Sequence, residues 1–375
     1  MCKYKILVIN PGSTSTKIAI YENEEKKWGF NVKHPGEELD KFLRPIEQLE
    51  YRDRAIRDAL KANGFKLDFD AVMARGGLLK PTPAGVYEMN DKIKHDLTYP
   101  NLEHPCNLGG MIASDLAKDC GPHCHAFISD PEVVDEMMPE AKITGFPEIR
   151  RKSVFHALNT KAMGRVYAKS IGKKYEDLNI IMAHLGGGIS VSAHCHGKVI
   201  DTNNAINGDG PFSPERAGSI PTQQLCELCY SGKYTLAEIK KMIMGRGGCA
   251  AHLGTSDMVE IENRALAGEE PFKYVFNSMA YATAKEIGSR AVALKGEVDA
   301  IIITGGIAHS KPFVEEIKKW CGWIGKFVVI PGEDEMGSLA NNAYRALMGE
   351  YKLVEYLPDL TLADLKRMRM QKSLS

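Results

Sequence analysis

The sequence predicts an α/β protein built from two related domains. The chain has 375 residues, enough for two domains of ordinary size with separate cores. A unit of apolar strand, glycine turn and alternating strand occurs near the start and again near the middle. A third apolar strand ends at two glycines before a helical segment. Strands that alternate with helices are typical of α/β folds.

The first unit joins two apolar strands through a polar turn. The run Ile6–Ile9 stops at Asn10-Pro11-Gly12, and the hydroxyls of Ser13–Thr16 and the amine of Lys17 follow before Ile18–Ile20. Turn chemistry explains Asn-Pro-Gly but not five further polar groups. Hydroxyls and a cation on a glycine turn suit a bound phosphate. The Walker A pattern is not matched, because isoleucine replaces its Ser or Thr, and an ordinary polar hairpin remains the alternative.

Further elements follow this hairpin. Spacing and apolar runs predict a helix over Leu39–Asn63, a strand Ala71–Ala74 that ends at Arg75, and a helix over Asn107–Lys118. A strand at 126–129 leads to Asp130. These elements complete the first domain up to the point where the repeat begins.

The second unit repeats the first about 175 residues later. The strand Asn179–Leu185 breaks at Gly186-Gly187-Gly188, and Ile189–Ala193 alternates. The third strand, Val298–Thr304, ends at Gly305-Gly306, where a nucleotide could lie close to the backbone. No loop has the G-x-G-x-x-G fingerprint, which disfavours a dinucleotide-binding dehydrogenase.

Composition excludes several classes of protein. Lys plus Arg and Asp plus Glu both total 48, so the net charge is zero and no nucleic-acid partner is expected. No apolar run reaches the length of a membrane span, and no signal-peptide core is evident. Nine cysteines, an odd number without a framework, suit reduced thiols. We expect a soluble cytoplasmic protein without a membrane partner.

Three groups of cysteine and histidine in the sequence are candidates for metal or redox sites. Neither of the first two groups has the paired C-x2-C spacing of a zinc site, and the C-x-x-C of the third lies in an amphipathic segment where burial is expected. The groups are Cys120, His123, Cys124 and His125; His194, Cys195 and His196; and Cys226 and Cys229.

The three glycine turns together resemble the acetokinase family. INPGSTSTK and HLGGGIS are similar to the two phosphate loops of that family, and ITGGIAH to its adenosine loop. FHALN, GPFSPERAG and LGTSD stand between them in the family's order, so the resemblance covers nearly the whole chain. It implies two ribonuclease-H-like domains of the actin-like ATPase type that flank a nucleotide cleft. The expected domains are 1–133 plus 337–375, and 134–336.

The resemblance implies ATP-dependent phosphorylation of a short-chain carboxylate, with Mg²⁺ and reversible formation of an acyl phosphate. The acceptor is already an anion, so the chemistry needs positive charge rather than a strong base. Arg75 and Arg216 match the two active-site arginines of the family, and a guanidinium binds carboxylate or phosphoryl groups with two donors. His156 matches a histidine that stabilises the transferring phosphoryl group, and His104 a second one at the acid.

The resemblance also implies the remaining site residues. Asp130 matches an aspartate near the acid and the metal, and Glu335 and Asn10 are expected to be linked to Mg²⁺. The residues expected to bind the nucleotide are Asn10, Ser13, Ser15, Lys17, His184, Gly186, Gly187, Gly188, Asp257, Gly305 and Gly306.

Gly76 and Gly77 replace branched apolar residues of acetate kinases. The absence of those branched side chains predicts room for a longer acyl chain. Each methylene that the substrate buries adds about 0.8 kcal/mol to the favourable free energy of binding. Butanoate is therefore the expected acid, with isobutyrate, propionate and acetate as alternatives. A homodimer or larger assembly is expected by analogy. Rival functions are a sugar kinase, which would need an aspartate base, and an actin-like ATPase switch without an acid acceptor.

Overall fold

A computed structural model of the chain describes residues 3–100 and 103–357. The chain forms two compact units, Met1–Val133 with Met336–Ser375, and Val134–Glu335. The tail 358–375, which the sequence assigns to the first domain, lies outside the described residues. No helix in the described ranges has the length and apolar character that a membrane span requires.

The first unit contains a six-stranded mixed sheet in the order β3-β2-β1-β4-β6-β5. β1, β2 and β3 form an antiparallel meander, β4 and β6 continue parallel to β1, and β5 is antiparallel to β6. The strands are Lys5–Pro11 (β1), Ser15–Glu22 (β2), Glu25–Lys33 (β3), Ala71–Arg75 (β4), Val86–Glu88 (β5) and His125–Ser129 (β6).

Helices cover this sheet, and α4 packs against β1, β4 and β6. The helices are Gly36–Leu39 (α1), Leu49–Ala62 (α2), Asp91–Thr98 (α3), Leu108–Cys120 (α4) and Glu335–Leu347 (α13). The helix predicted over 39–63 is wrong over residues 40–48, because Leu39 ends α1 and α2 begins only at Leu49. Pro45 disfavours a helical backbone at Arg44, the residue before it, and Arg44 is extended. A short 3₁₀ helix begins at Pro45, and Leu43, which the apolar spacing had placed on the helix, is 95% exposed.

The second unit contains a five-stranded mixed sheet in the order β11-β10-β7-β8-β9. β7, β8 and β9 form an antiparallel meander, and β10 and β11 continue parallel to β7. The strands are Asn179–Leu185 (β7), Ile189–Cys195 (β8), Lys198–Thr202 (β9), Ala300–Thr304 (β10) and Lys326–Val329 (β11).

Both faces of this second sheet are buried. Ile180 and Met182 pack towards the helix Ala157–Ser170 (α6). Ile181 and Ala183 point the other way, as the two-residue period of a strand requires, and join the core formed with the helices Glu270–Ala293 (α11) and Lys311–Cys321 (α12). The helices are Pro139–Lys142 (α5), Ala157–Ser170 (α6), Thr222–Cys229 (α7), Leu236–Ile243 (α8), Gly248–Leu253 (α9), Met258–Leu266 (α10), Glu270–Ala293 (α11) and Lys311–Cys321 (α12). The expected burial of Cys226 and Cys229 is wrong, because both lie exposed on α7.

The two sheets repeat one arrangement. Each has a three-stranded antiparallel meander, and two further strands extend the sheet, parallel to the first strand of that meander. This arrangement confirms the predicted α/β fold with two related, ribonuclease-H-like domains. Among the residues predicted to be functional, Arg75, Asp130 and Gly305 lie at the carboxyl ends of parallel strands, where ligands bind in open α/β sheets.

Candidate active site

The turn between β1 and β2 has the geometry of a compact polar loop. The Gly12 N–H donates to the Ser15 carbonyl, with 2.7 Å between N and O, and Asn10 pairs with Lys17 across the strands. Ser13 and Lys17 are exposed, whereas Thr16 is buried. The strand period therefore leaves Lys17 on the accessible side of the hairpin and Thr16 beneath it.

The buried side chain of Arg52 donates hydrogen bonds to the carbonyls of this loop, a role that the sequence analysis did not identify. The side chain lies on α2 with no exposed surface. Its Nη2 donates to the Ser13 carbonyl at 2.8 Å and its Nη1 to the Gly12 carbonyl at 2.9 Å. The signal in the sequence was an arginine on the apolar stripe of the helix, between Leu49 and Ile56.

Arg75 is the last residue of β4, as predicted, and its guanidinium pairs with the Glu132 carboxylate. The two glycines after it are tightly packed. A Cβ on Gly76 would lie 2.7 Å from the Pro131 Cβ and 2.8 Å from its Cα. Gly77 has a φ of +60°, and a Cβ there would lie 2.7 Å from the Leu97 Cδ2. These contacts give the glycines a packing role that the sequence analysis had not considered, and no cavity opens at either Cβ position.

The pKa of His104 is affected by burial and by nearby charges, that of Arg75 among them. Burial lowers the pKa of His104, the Glu132 carboxylate opposes this shift, and the charges of Arg75 and Arg52 add to it. Its Nδ1 accepts the Cys106 N–H at 3.2 Å, which leaves Nε2 as the protonated nitrogen of the neutral ring. His104 and Leu97 line a small pocket with room for about one water molecule.

Asp130 follows β6 in a strained conformation. Its φ is +37°, which is uncommon for a residue other than glycine, and its side chain is 2% exposed. The Gly85 N–H donates to Oδ1 at 2.9 Å, and the Asp130 N–H donates to the Gly85 carbonyl at 3.0 Å. Asn342 on α13 donates to Oδ2 at 3.3 Å. Strain that neighbours hold in place is common at functional sites.

The second unit brings His156 and His184 together. Their rings stack with centroids 3.8 Å apart and 13° between planes. Nδ1 of His156 is 2.9 Å from the Ser190 Oγ, and Nδ1 of His184 is 2.9 Å from the Asn159 Oδ1. A serine and an asparagine thus orient the two rings.

The second glycine loop lies beside Arg216. A Cβ on Gly188 would lie 3.8 Å from the Arg216 Cζ, and Arg216 Nη1 donates to the Ala205 carbonyl at 3.1 Å. The Ser213 hydroxyl donates to the Gly187 carbonyl at 2.5 Å. Gly186 completes the loop, with its N–H 3.2 Å from the Gly188 carbonyl. The predicted loop and the predicted arginine are therefore neighbours within this unit.

The third glycine turn packs on the second. Gly305 has a φ of +89°, and a Cβ there would lie 2.4 Å from the Leu185 carbonyl oxygen. Gly306 has open space where its Cβ would be. Asp257 is the N-cap of α10 and accepts the Val259 N–H at 2.8 Å, a structural reason for its presence.

The predicted metal ligands are oxygen donors, which Mg²⁺ prefers. Asn10 and Asp130 lie at the ends of β1 and β6 in the first unit, and Glu335 begins α13. No group of three or more His, Cys, Asp and Glu residues in the described part of the chain could hold an ion alone. Mg²⁺ in kinases usually takes one or two carboxylates together with phosphates and waters, so the oxygen-donor chemistry of each of these side chains suits the ion.

Sequence comparison connects these features. Residues 141–320 match the model of the acetokinase family. A probable butyrate kinase of Phocaeicola vulgatus is 57% identical over 95% of this chain and 100% of its own. The chain belongs to the acetokinase family. A probable butyrate kinase of Bacteroides thetaiotaomicron is 50% identical (94% and 99% coverage), and butyrate kinase 2 of Clostridium acetobutylicum is 48% identical (94% and 99%). The family resemblance found in the sequence is confirmed.

Solved structures share the fold at low identity. Porphyromonas gingivalis acetate kinase superposes with a TM-score of 0.74 at 20% identity, covering 92% of this chain and 100% of that one. A Francisella tularensis propionate kinase gives 0.71 at 19% identity, covering 90% and 98%. Family membership makes the protein a phosphotransferase with a carboxyl group as acceptor.

Proposed function

We propose that this acetokinase-family protein transfers the γ-phosphoryl group of ATP to butanoate and forms butanoyl phosphate and ADP reversibly. The observation that carries the choice of acid is the 48% identity or more to relatives named butyrate kinase over at least 94% of the chain. Gly76 and Gly77 do not carry it, since both are explained by packing.

The first unit would hold the acid and part of the polyphosphate. The Arg75 guanidinium would bind the carboxylate, and His104 would lie beside it. The acceptor is an anion before it reacts, so the side chains must offset repulsion between it and ATP. Ser13, Ser15 and Lys17 would donate to phosphate oxygens.

The second unit would hold the nucleotide and the charge that develops on the transferring group. Arg216 and His156 would donate to the equatorial phosphoryl oxygens, where preorganised donors stabilise the transition state. The loop 186–188 would cradle phosphates, and Gly306 would lie against the adenosine. His184 would orient His156 through their stacked rings.

Asn10, Asp130 and Glu335 would hold Mg²⁺. The ion would neutralise phosphate charge and orient the polyphosphate for in-line transfer. The strained backbone of Asp130 and its two bonds to Gly85 would fix the carboxylate that faces this site.

An acyl-hydroxamate assay tests the proposal. Purified protein, Mg-ATP and hydroxylamine are incubated with acetate, propionate, butyrate, isobutyrate or valerate. We expect the highest kcat/KM with butyrate. A maximum at acetate would keep the carboxylate kinase and refute the choice of butanoate, whereas no product from any acid would refute the kinase. The homo-oligomeric state stays a prediction.

A further inference from the structure

Arg52 is a buried cation whose hydrogen bonds go almost entirely to the first phosphate loop. Nε donates to Gln48, four residues earlier on the same side of the helix, at 2.9 Å. All other donors reach the turn between β1 and β2, which lies 36 to 40 residues earlier in the chain. Their acceptors are the carbonyls of Gly12 (2.9 Å), Ser13 (2.8 Å) and Ser15 (3.4 Å) and the Thr16 hydroxyl (3.3 Å).

This pattern decides which groups the loop presents. A loop that binds phosphate must turn its carbonyl oxygens away, because they would repel phosphate oxygens. Arg52 holds three carbonyls of the turn, those of Gly12, Ser13 and Ser15, on its inner side. Ser13 and Lys17, which are exposed, remain on the outer side. His34 reinforces the arrangement, with its Nε2 2.9 Å from the Thr16 Oγ1.

Arg52 also carries a charge without a counter-anion. No Asp or Glu within residues 3–100 and 103–357 forms an ion pair with it, although it is fully buried. Burial lowers the pKa of Arg52 to about 10, so the guanidinium is still protonated at neutral pH. Burying a charge in this way is costly unless a ligand or partner compensates it.

We propose that Arg52 is a positioning residue of the first phosphate loop, and that the phosphates of the bound nucleotide provide the negative charge that its buried guanidinium lacks. The inference rests on the proposed function, because it takes the loop to be a phosphate site. Arg52 touches carbonyls and not phosphate, so it acts through the loop.

Substitution of Arg52 separates this role from simple packing. Arg52→Met removes the charge and all of the donors, and Arg52→Lys keeps the charge but loses the planar fork that spans several carbonyls. The matched control is Arg57→Met. Arg57 lies on the same helix and is bonded to Asp53 (2.6 Å) and Asp119 (2.5 Å), but not to the loop.

The experiment is calorimetric binding of two probes, the Mg²⁺ complex of β,γ-imido-ATP and adenosine. We expect Arg52→Met to weaken binding of the imido-ATP complex 10- to 100-fold, the range of a lost charge-assisted interaction, and to leave adenosine affinity within about twofold. Arg52→Lys should fall between wild type and Arg52→Met. Arg57→Met should bind both probes like wild type. Urea unfolding of each variant reports whether it folds. If Arg52→Met does not fold, the comparison of Arg52→Lys with wild type provides the test.

Equal loss of affinity for both probes, or no loss for either, would overturn the positioning role. The binding measurement needs neither an acid nor turnover. An inactive wild type that still shows the Arg52-dependent preference for the imido-ATP complex would refute the kinase and keep this inference. An active enzyme without that preference would do the reverse, and a wild type that binds neither probe would refute both.

Discussion

Arg75 is held by a carboxylate of its own unit, and this pair bears on how it would meet the substrate. Its guanidinium pairs with Glu132, and both side chains are about three-quarters buried or more, at 20% and 25% exposed. A substrate carboxylate would have to share or replace this partner. The ion pair therefore fixes the position of the Arg75 guanidinium before the acid binds, and it lowers the affinity of the site for the acid because Glu132 competes with the substrate carboxylate.

Arg75→Ala should lower kcat/KM for the acid by about 10²–10³-fold, because a preorganised, charged donor to the reacting group is lost. Arg75→Lys should recover only part of this, since an ammonium group cannot form the two parallel bonds of the fork. Steady-state kinetics with butyrate measures both changes. Glu132→Gln, the control, should lower KM for the acid a few-fold because it removes a competing carboxylate. A fully active Arg75→Ala would remove this residue from the mechanism.

His156 is positioned by a serine and by ring stacking. We expect His156→Ala to lower kcat by about 10²-fold, the usual loss for one donor to a transition-state oxygen. Ser190→Ala leaves the imidazole in place but removes its 2.9 Å contact at Nδ1, so a smaller loss of kcat is expected. Single-turnover rates measure the chemical step. Equal KM and kcat values for wild type and both variants would show that the pair is structural only.

At the scale of elements, the third glycine turn has two glycines with different surroundings. Gly305 lies against the backbone of Leu185 with a positive φ, whereas nothing lies within 4 Å of a Cβ on Gly306. Gly305→Ala should lower the free energy of unfolding by at least about 1–3 kcal/mol, the cost of that backbone conformation alone. Urea unfolding measures it.

Gly306→Ala is the matched control for that change. Its stability should stay within about 1 kcal/mol of wild type, because the added methyl group meets no protein atom. If adenosine lies against this position, KM for ATP should rise several-fold while KM for the acid is unchanged. An unaltered KM for ATP would move the adenosine site elsewhere.

The elements that the sequence predicted well are those whose burial is local. β7 and β10 read as continuous apolar runs because both faces of the second sheet are covered. The start of α2 was predicted too early, because Pro45 interrupts the helix although the apolar residues before it have helical spacing. Gly76 and Arg52 could not be explained from the sequence, because Pro131 and the carbonyls of residues 12–15 reach them only through the fold. Family motifs nominated the remaining site residues, and the structure groups them by unit.

At the scale of the whole molecule, buried histidines in both units link stability to pH. Burial, followed by the charge of Arg52, lowers the pKa of His34 to about 4. In the second unit, burial lowers the pKa of His194 well below its usual value, with smaller effects from Lys161 and Arg165. His194 is bonded to the Tyr175 hydroxyl (2.6 Å) and the Ser192 hydroxyl (2.8 Å), so its neutral ring is built into the core.

The direction of the pH effect follows from the folded pKa being lower than the unfolded value of about 6.5. Between these two values the unfolded chain binds a proton that the folded chain does not, so stability falls as pH decreases. The contribution is fully present above pH 6.5 and is lost progressively towards pH 4 for His34. Urea unfolding between pH 8 and pH 4 should show a plateau followed by this loss. His34→Gln keeps a donor near Thr16 without the titration, so its curve should be flatter by close to one proton. Parallel curves for the two proteins would show that His34 does not titrate differently on folding.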